Sequence, residues 1–296
     1  MLVPDEIRKC VAFVGYRWTT GEHWAGTGFF VTVPLAGTTR YTPYLITAKH
    51  LVESARNRSI DGKLLVRINR RGGGTDIVET DCCSWTTHQS DQSIDAACIS
   101  LQLDHDSDLR LYPSESFAIP DVLRRARVDS VGVGDDVFIT GLFSSHLGNS
   151  RNIPIVRVGN VAAIPEEPLP TGYGPSEAYL IEARSIGGLS GSPVFVMVGS
   201  QRRGGSIIIQ TGGPQFFLLG LIHGHFDLPE LTGDAAPEGP PSTDASTAGA
   251  INAGIAVVVP AWKIIEVLNH PSLVAVREAT ARRILASQAA TPDSTP

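Results

Sequence analysis

Three short segments of this sequence carry the residue types that acyl transfer by a hydroxyl nucleophile requires. His50 follows the apolar run Tyr44-Leu-Ile-Thr-Ala-Lys, Asp95 precedes the run Ala-Ala-Cys-Ile, and Ser190 lies among glycines just before Pro193. The chemistry needs a base for the hydroxyl proton, an acid that orients the base, and donors for the developing oxyanion. Ser190 offers the hydroxyl, His50 the base and Asp95 the acid, and the glycines allow a tight turn in which the N–H groups of Gly188 and Ser190 converge on one oxygen.

Each of these assignments has a competitor within the sequence. Asp91 lies four residues before Asp95, but the register of Asp95 continues into an apolar strand and favours it. In an α/β-hydrolase, Ser190 would be followed in chain order by an aspartate and then a histidine, and Asp227 and His270 offer that order. That fold needs a G-x-S-x-G turn leading into a helix. Here Ser192 replaces the last glycine and a strand follows, so the α/β-hydrolase is disfavoured.

The elements that would position these residues read as short strands. The chain of 296 residues contains 30 glycines and 20 prolines among short runs of β-branched and aromatic residues, which is typical of an all-β protein. We predict an N-terminal barrel over 1–103, a connection over 104–130 and a C-terminal barrel over 131–260. Residues 227–249 read as a mobile loop, 261–287 as helices and 288–296 as a disordered tail. His50 and Asp95 then lie on the first barrel and Ser190 on the second.

The three segments resemble the histidine, aspartate and serine motifs of the chymotrypsin-like serine peptidases, in that family's chain order and roughly its spacing. Gly188-Leu-Ser190-Gly-Ser-Pro193 and Thr47-Ala-Lys-His50 are most similar to the bacterial glutamyl endopeptidases. Gly134-Asp135 and the segment 254–260 are similar to HtrA-type peptidases. The resemblance covers about residues 8 to 269 and implies two six-stranded antiparallel β-barrels followed by a C-terminal helix.

The resemblance also implies a role for each residue of the three motifs. Ser190 would be the nucleophile, His50 the general base and then acid, and Asp95 the group that holds the imidazole, while Gly188 and Ser190 would form the oxyanion hole. Leu189 departs from the secreted trypsin relatives, which carry there an aspartate that pairs with a newly cleaved N-terminus. We therefore expect an enzyme that is competent uncut or is gated in another way.

Substrate preference depends on the residues that line the specificity pocket. By the same resemblance these are Arg184, six residues before the nucleophile, with His223 and His225 on a later strand. An arginine and a histidine facing one pocket favour a carboxylate, so the sequence suggests cleavage after Glu or Asp. Alternatively, Arg184 pairs with Glu182 or points to solvent. His223, His225 and Asp227 alternate as metal ligands on one strand face would, but a polar pocket wall explains them as well, and we expect neither metal nor cofactor.

Composition limits the partners of the chain. A formal net charge of −6 disfavours nucleic-acid binding. The first ten residues lack the features of a signal peptide, and no segment approaches the ~18 apolar residues of a membrane span. The four cysteines suggest reduced thiols and hence a cytoplasmic protein. The expected partner is a polypeptide substrate, with a regulatory protein partner left open. A catalytically silent relative that only binds peptides is the second hypothesis.

Overall fold

The computed structural model describes residues 3–125, 131–143, 146–183, 188–198, 215–228 and 251–289. The strands of the N-terminal half are β1 Val11–Trp18, β2 Gly21–Pro34, β3 Tyr41–Thr47, β4 Lys63–Asn69, β5 Thr75–Asp81, β6 Thr86–Thr87, β7 Ala97–Ser100 and β8 Tyr112–Pro113. Those of the C-terminal half are β9 Asp136–Gly141, β10 Ile155–Ala163, β11 Leu169–Thr171, β12 Gly174–Ser176, β13 Tyr179–Glu182, β14 Pro193–Val198, β15 Gln215–Leu228 and β16 Ile251–Pro260. The helices are α1 Asp5–Arg8, α2 Lys49–Arg58, α3 Pro120–Arg125, α4 Ala261–Leu268 and α5 Pro271–Ala289.

The C-terminal half forms a closed antiparallel barrel. Its six strands follow one another in the order β10-β13-β16-β15-β14-β9, and β9 pairs with β10 to complete the ring. The strands close because they are rich in Val, Ile, Leu and Phe, whose side chains fill the interior. The predictions of an all-β fold, of a C-terminal helix and of this barrel are confirmed. Most of the predicted loop 227–249 lies outside the described residues.

The N-terminal half is an eight-stranded sheet. Its order is β5-β4-β1-β2-β3-β7-β6, with β8 pairing in parallel with β2. The prediction of a second six-stranded barrel is not confirmed, because the pairing among the described strands ends at β5 on one side and β6 on the other. The strand β6 has only two residues, so it offers too short a ladder to extend the sheet further. The sheet packs against an apolar core that includes Tyr16, Phe29 and Phe30.

The two halves share one continuous apolar cluster. Phe138 and Phe195 of the barrel pack with residues of the N-terminal sheet, and Tyr112 meets Phe195 edge-on with ring centroids 4.9 Å apart. The hydroxyl of Tyr112 also donates to the carbonyl of Phe216 over 2.7 Å. Burying apolar surface on both sides fixes the halves against each other. Loops from both halves can therefore build one site at a defined geometry.

The helix α5 is docked through one buried charged residue. Arg277 is 8% exposed, and its guanidinium donates to the carbonyl of Leu268 (2.7 Å), the side-chain oxygen of Asn269 (3.1 Å) and the hydroxyl of Tyr44 (3.1 Å). Two of these acceptors lie at the end of α4 and the third lies on β3. Arg277 thus caps α4 and fastens α5 to the N-terminal sheet. The helix runs through Ala289, so residues 288 and 289 are helical.

The four cysteines are all free thiols. Cys10, Cys82 and Cys98 are buried and Cys83 is exposed. Burial raises the pKa of Cys98 to about 12 and that of Cys82 to about 11, so neither is a thiolate at neutral pH. Of the helices that the structure describes, none combines the length and apolar character needed to cross a bilayer.

We predict that Arg277→Lys lowers the free energy of unfolding by about 1–3 kcal/mol. A lysine ammonium cannot match the planar fork that reaches three acceptors, and at least one buried acceptor is left unpaired. Urea unfolding measures the loss. Arg282→Lys is the matched control on the same helix, where the side chain is 72% exposed, and it should change stability by less than about 0.5 kcal/mol. Equal effects of the two substitutions would contradict the docking role of Arg277.

Candidate active site

His50 is presented at the start of the helix α2. The strand β3 ends at Thr47, Ala48 is extended, and α2 begins at Lys49, so His50 lies in the first turn. The helix α2 is ten residues long. Leu51, Val52 and Ala55 are buried and hold α2 on the sheet. The His50 side chain is 29% exposed, so it is packed on one side and reaches solvent on the other.

Asp95 is the buried carboxylate that meets His50. It lies in the loop before β7 and is 1% exposed. Its Oδ1 accepts the backbone N–H of His50 over 2.8 Å, and its Oδ2 is 2.7 Å from His50 Nδ1. Asp91, the competitor, instead accepts hydrogen bonds from the N–H and hydroxyl of Ser93 within its own loop. The structure therefore brings His50 together with Asp95 and leaves Asp91 as a turn residue.

A second histidine contacts the same carboxylate. His223 of β15 is 4% exposed, and its Nδ1 lies 2.5 Å from Asp95 Oδ2. Burial raises the pKa of Asp95, but the charges and hydrogen bonds of His50 and His223 outweigh it and hold that pKa well below its ordinary value. The carboxylate is thus ionised at neutral pH. An ionised carboxylate only accepts hydrogen bonds, so both Nδ1 atoms carry protons and His50 Nε2 is the basic nitrogen.

The loop of Ser190 packs against the segment that leads to His50. The carbonyl of Ser190 accepts the N–H of Thr27 over 2.9 Å. Next to it, Gly191 has φ +76°, and a Cβ there would lie 2.6 Å from Thr47 Oγ1 and 3.0 Å from the backbone nitrogen of Ala48. Only glycine allows so close an approach. The structure therefore sets the backbone of Gly191 against residues 47 and 48, immediately before α2, and the backbone of Ser190 against Thr27.

Hydrogen bonds from both halves fix the shape of this loop. The hydroxyl of Thr27 donates to the carbonyl of Gly188 over 3.1 Å and accepts the N–H of Leu142 over 2.8 Å. The carbonyl of Leu189 accepts the N–H of Ser192. A trans peptide points its N–H opposite to its carbonyl, so the Ser190 N–H points away from Ser192. Gly188 has φ +97°, the left-handed region that the tight turn requires.

A polar cavity of about 310 Å³ opens beside His50. Glu53 and Arg58 of α2 line one wall, and Tyr173 and His223 line the other. Tyr173 lies in the turn between β11 and β12, and its hydroxyl donates to Glu53. Its ring receives the buried ammonium of Lys49 at 3.9 Å from the centroid. The β11–β12 hairpin, a separate two-stranded sheet of the C-terminal half, is therefore fastened to α2 next to His50.

Some residues of this site were not predicted from the sequence, and one predicted pocket residue, His223, contacts the carboxylate of Asp95. Thr27, Lys49, Glu53 and Tyr173 were not singled out, although the glycines on either side of Thr27 were a signal of close backbone approach. Among the predicted pocket residues, His223 points at Asp95. Arg184 lies outside the described residues, and the side chain of His225 does too. The pocket assignment remains a prediction.

His50, Asp95 and His223 also have the donor types that a metal ion takes. Their ligand atoms all lie within 4.8 Å of one another. The separations of 2.5 and 2.7 Å between nitrogen and oxygen are hydrogen-bond lengths, whereas ligands about 2.0–2.2 Å from one zinc ion stand roughly 3 Å or more apart. Protons account for both contacts, and the arrangement does not call for a metal. The side chains of His225 and Asp227 lie outside the described residues.

Comparisons with known proteins return only distant similarities. No protein-family model and no curated protein sequence matches the chain. Among solved structures, the MamO protease domain from Magnetospirillum magneticum is 18% identical (TM-score 0.47; 88% of this chain and 96% of that one). An inactive form of Rv3671c from M. tuberculosis is 16% identical (0.45; 89% and 87%), and the Drosophila Grass clip serine protease is 12% identical (0.48; 90% and 70%). These scores are too low to carry an argument about activity, so function must be argued from the contacts of the chain itself.

We predict that Asp95→Asn destabilises the protein in a pH-dependent way. The folded-state pKa of Asp95 lies below its ordinary value of 3.8, so its stabilising effect is present above about pH 4 and is lost as pH falls further. The substitution should cost about 2–3 kcal/mol of unfolding free energy at pH 7 and progressively less towards pH 3.

Urea unfolding at several pH values measures this dependence. Asp76→Asn is the control, because that carboxylate is exposed and pairs only with Arg70, and it should cost less than about 0.5 kcal/mol at every pH. A cost for Asp95→Asn that does not change with pH would show that the ionised carboxylate is not the stabilising species.

Proposed function

We propose that the chain is a serine endopeptidase with His50, Asp95 and Ser190 as its catalytic triad. The observation that carries the proposal is the pair of contacts at His50. The buried carboxylate of Asp95 accepts both the backbone N–H and the Nδ1 proton of this residue, while the Ser190 loop packs against the segment just before it. This arrangement supplies an oriented base at a glycine-rich turn that carries a hydroxyl.

The proposed chemistry follows the usual two steps of acyl transfer. Ser190 Oγ attacks the substrate carbonyl carbon while His50 Nε2 takes the hydroxyl proton, and the negative charge develops on the carbonyl oxygen. The N–H groups of Ser190 and Gly188 are the proposed donors to that oxygen. The C–N bond then breaks, and His50 returns the proton to the leaving amine. Water, deprotonated by His50, hydrolyses the acyl-enzyme and restores Ser190.

The setting of Leu189 supports a nucleophile loop that needs no processed N-terminus. Leu189 is 1% exposed and packs into the apolar cluster of the barrel, close to Val194 and Ile222 in the same core. The loop is thus anchored by apolar burial and by the hydroxyl of Thr27. Neither contact depends on a free amine, so we propose that the enzyme is competent uncut.

We further propose that the substrate residue before the cleaved bond is acidic. Since His223 is held at Asp95, the proposal rests on Arg184 and His225, the other two residues that the resemblance assigns to the specificity pocket. A guanidinium forms paired hydrogen bonds with a carboxylate, and this pairing discriminates strongly against apolar or cationic side chains. The substrate of the intact protein would be a polypeptide with accessible Glu or Asp residues.

Labelling by a fluorophosphonate probe tests the triad. Wild-type protein should be labelled covalently, and Ser190→Ala should abolish both labelling and peptide hydrolysis, lowering turnover by several powers of ten. Ser192→Ala is the matched control, because Ser192 lies two residues away and is buried, and among the described residues its hydroxyl has no hydrogen-bond partner. It should keep both activities. Folded wild-type protein that resists the probe would instead indicate a silent peptide-binding protein.

A peptide library tests the acidic preference. Cleavage should follow Glu or Asp, and Arg184→Gln should lower kcat/KM for such substrates by about 10- to 100-fold through loss of the paired hydrogen bonds. Arg282→Gln, an exposed site on α5, should leave kcat/KM unchanged. Efficient cleavage after Lys, Arg or Phe would rule out the acidic preference while leaving the triad intact.

A further inference from the structure

The carboxylate of Asp95 receives three N–H groups, and one of them comes from a residue to which the catalytic scheme gives no role. His50 contributes its backbone N–H to Oδ1 and its Nδ1 proton to Oδ2. His223 contributes its own Nδ1 proton to the same Oδ2, over the shortest of the three separations, 2.5 Å. The two imidazole rings stand nearly perpendicular, with centroids 6.0 Å apart. Two imidazoles therefore share one oxygen of one buried carboxylate.

The second ring nitrogen of His223, Nε2, lies in a different environment from Nδ1. It is buried and, among the residues that the structure describes, has no hydrogen-bond partner. Holding a polar nitrogen in this way costs free energy that an apolar side chain of similar size would not. The hydrogen bond at Nδ1 is thus the contact that offsets the cost, which points to a role for this histidine beyond filling the core.

We propose that His223 is a positioning residue. Its Nδ1–H holds the Asp95 carboxylate in place and thereby lowers the basicity of His50. This inference rests on the proposed function only in so far as His50 is the base. A third donor spreads the negative charge of Asp95 over more hydrogen bonds, so each imidazole is stabilised less as a cation. His50 then loses its proton at a lower pH than it would with Asp95 to itself.

Other charged and titratable groups near His50 also influence its protonation, and they are the same residues in every variant of His223. They lie on α2 and on the β11–β12 turn, and they are Lys49, Glu53, Arg58 and Tyr173. Glu53 is bound to Tyr173, and Lys49 is bound to the carbonyl of Gln92 and to the Tyr173 ring. The Tyr173 ring also lies beside the His223 ring, with centroids 6.3 Å apart. His223→Asn and His223→Leu both remove this ring contact and differ in the donor to Asp95, so the two variants are compared with each other.

NMR of the intact protein with ¹⁵N-labelled histidine tests the contact without reference to catalysis. Two Nδ1–H signals should appear far downfield at neutral pH, one from each ring, and both should vanish in Asp95→Asn. One downfield signal alone would overturn the proposal. A protein that shows both signals but cleaves no peptide would contradict the proposed function and leave the role of His223 standing.

Two substitutions of matched shape separate positioning from packing. His223→Asn keeps an N–H donor near the position of Nδ1, whereas His223→Leu has a similar shape and no donor. The His50 titration, followed by NMR and by the acid limb of kcat/KM, should move up by about one pH unit in the leucine variant and by less than ~0.3 in the asparagine variant. His105→Asn, at a side chain that is 96% exposed, should change neither.

The difference between the His50 titrations of the two variants tests whether His223 acts by positioning Asp95 or by packing. Equal shifts in His223→Leu and His223→Asn would mean that His223 acts by packing alone, and the proposal would be wrong. If the leucine variant does not fold, the asparagine variant and the two Nδ1–H signals of the native protein still decide it. An asparagine variant that folds and shifts the His50 titration by a full unit would overturn the proposal.

Discussion

The buried charge of Asp95 is the constraint on which the rest of the site depends. A carboxylate that is 1% exposed is tolerated only because N–H groups surround it, and each of those groups comes from an element that must be placed accurately. One is the first turn of α2, which supplies the His50 backbone and ring, and the other is β15, which supplies His223. The register of β15 in the barrel and the start of α2 on the sheet are therefore tied to one pair of oxygen atoms. Because these elements belong to different halves, the ion also links the halves at the place where catalysis is proposed.

The loop of Ser190 is held by contacts of another kind. Apolar burial of Leu189, the hydroxyl of Thr27 and the close approach at Gly191 are neutral interactions that do not change with pH. The side of the site that carries His50 depends on an ionised group, whereas the side that carries Ser190 does not. Acidification below the lowered pKa of Asp95 should consequently disturb the orientation of His50 before it disturbs the loop of Ser190. A site built in this way can lose its arrangement reversibly at low pH while the core around it remains folded.

The sequence predicted the parts of the site that local patterns determine. An apolar run ending at His50, a register that selects Asp95 over Asp91 and a glycine turn at Ser190 are all local, and the six-stranded C-terminal barrel follows from its run of short apolar strands. Long-range register was not predictable in the same way. The ladder between β15 and β16 shifts between Ile222 and Gly224, and such a slip decides which residue of the strand faces Asp95. The same limit explains why the open edges of the N-terminal sheet were not predicted. It also explains why the contacts of Tyr173 with Glu53 and of Arg277 with Tyr44 were missed, since both join segments more than a hundred residues apart.

The β11–β12 hairpin adds a second constraint on the position of His50. Tyr173 bonds to Glu53 and covers the ammonium of Lys49, the residues that lie three positions after His50 and one before it. Lys49 in turn holds the carbonyl of Gln92 in the loop that leads to Asp95. The aromatic ring of one half thus fastens both the helix that carries His50 and the loop that carries Asp95. Since Lys49 is only 3% exposed, the attraction of its ammonium to the ring and carbonyl is screened little by solvent. The position of His50 is therefore set by two independent groups of contacts, those of Asp95 and those of the hairpin, so the imidazole is oriented in the unliganded structure.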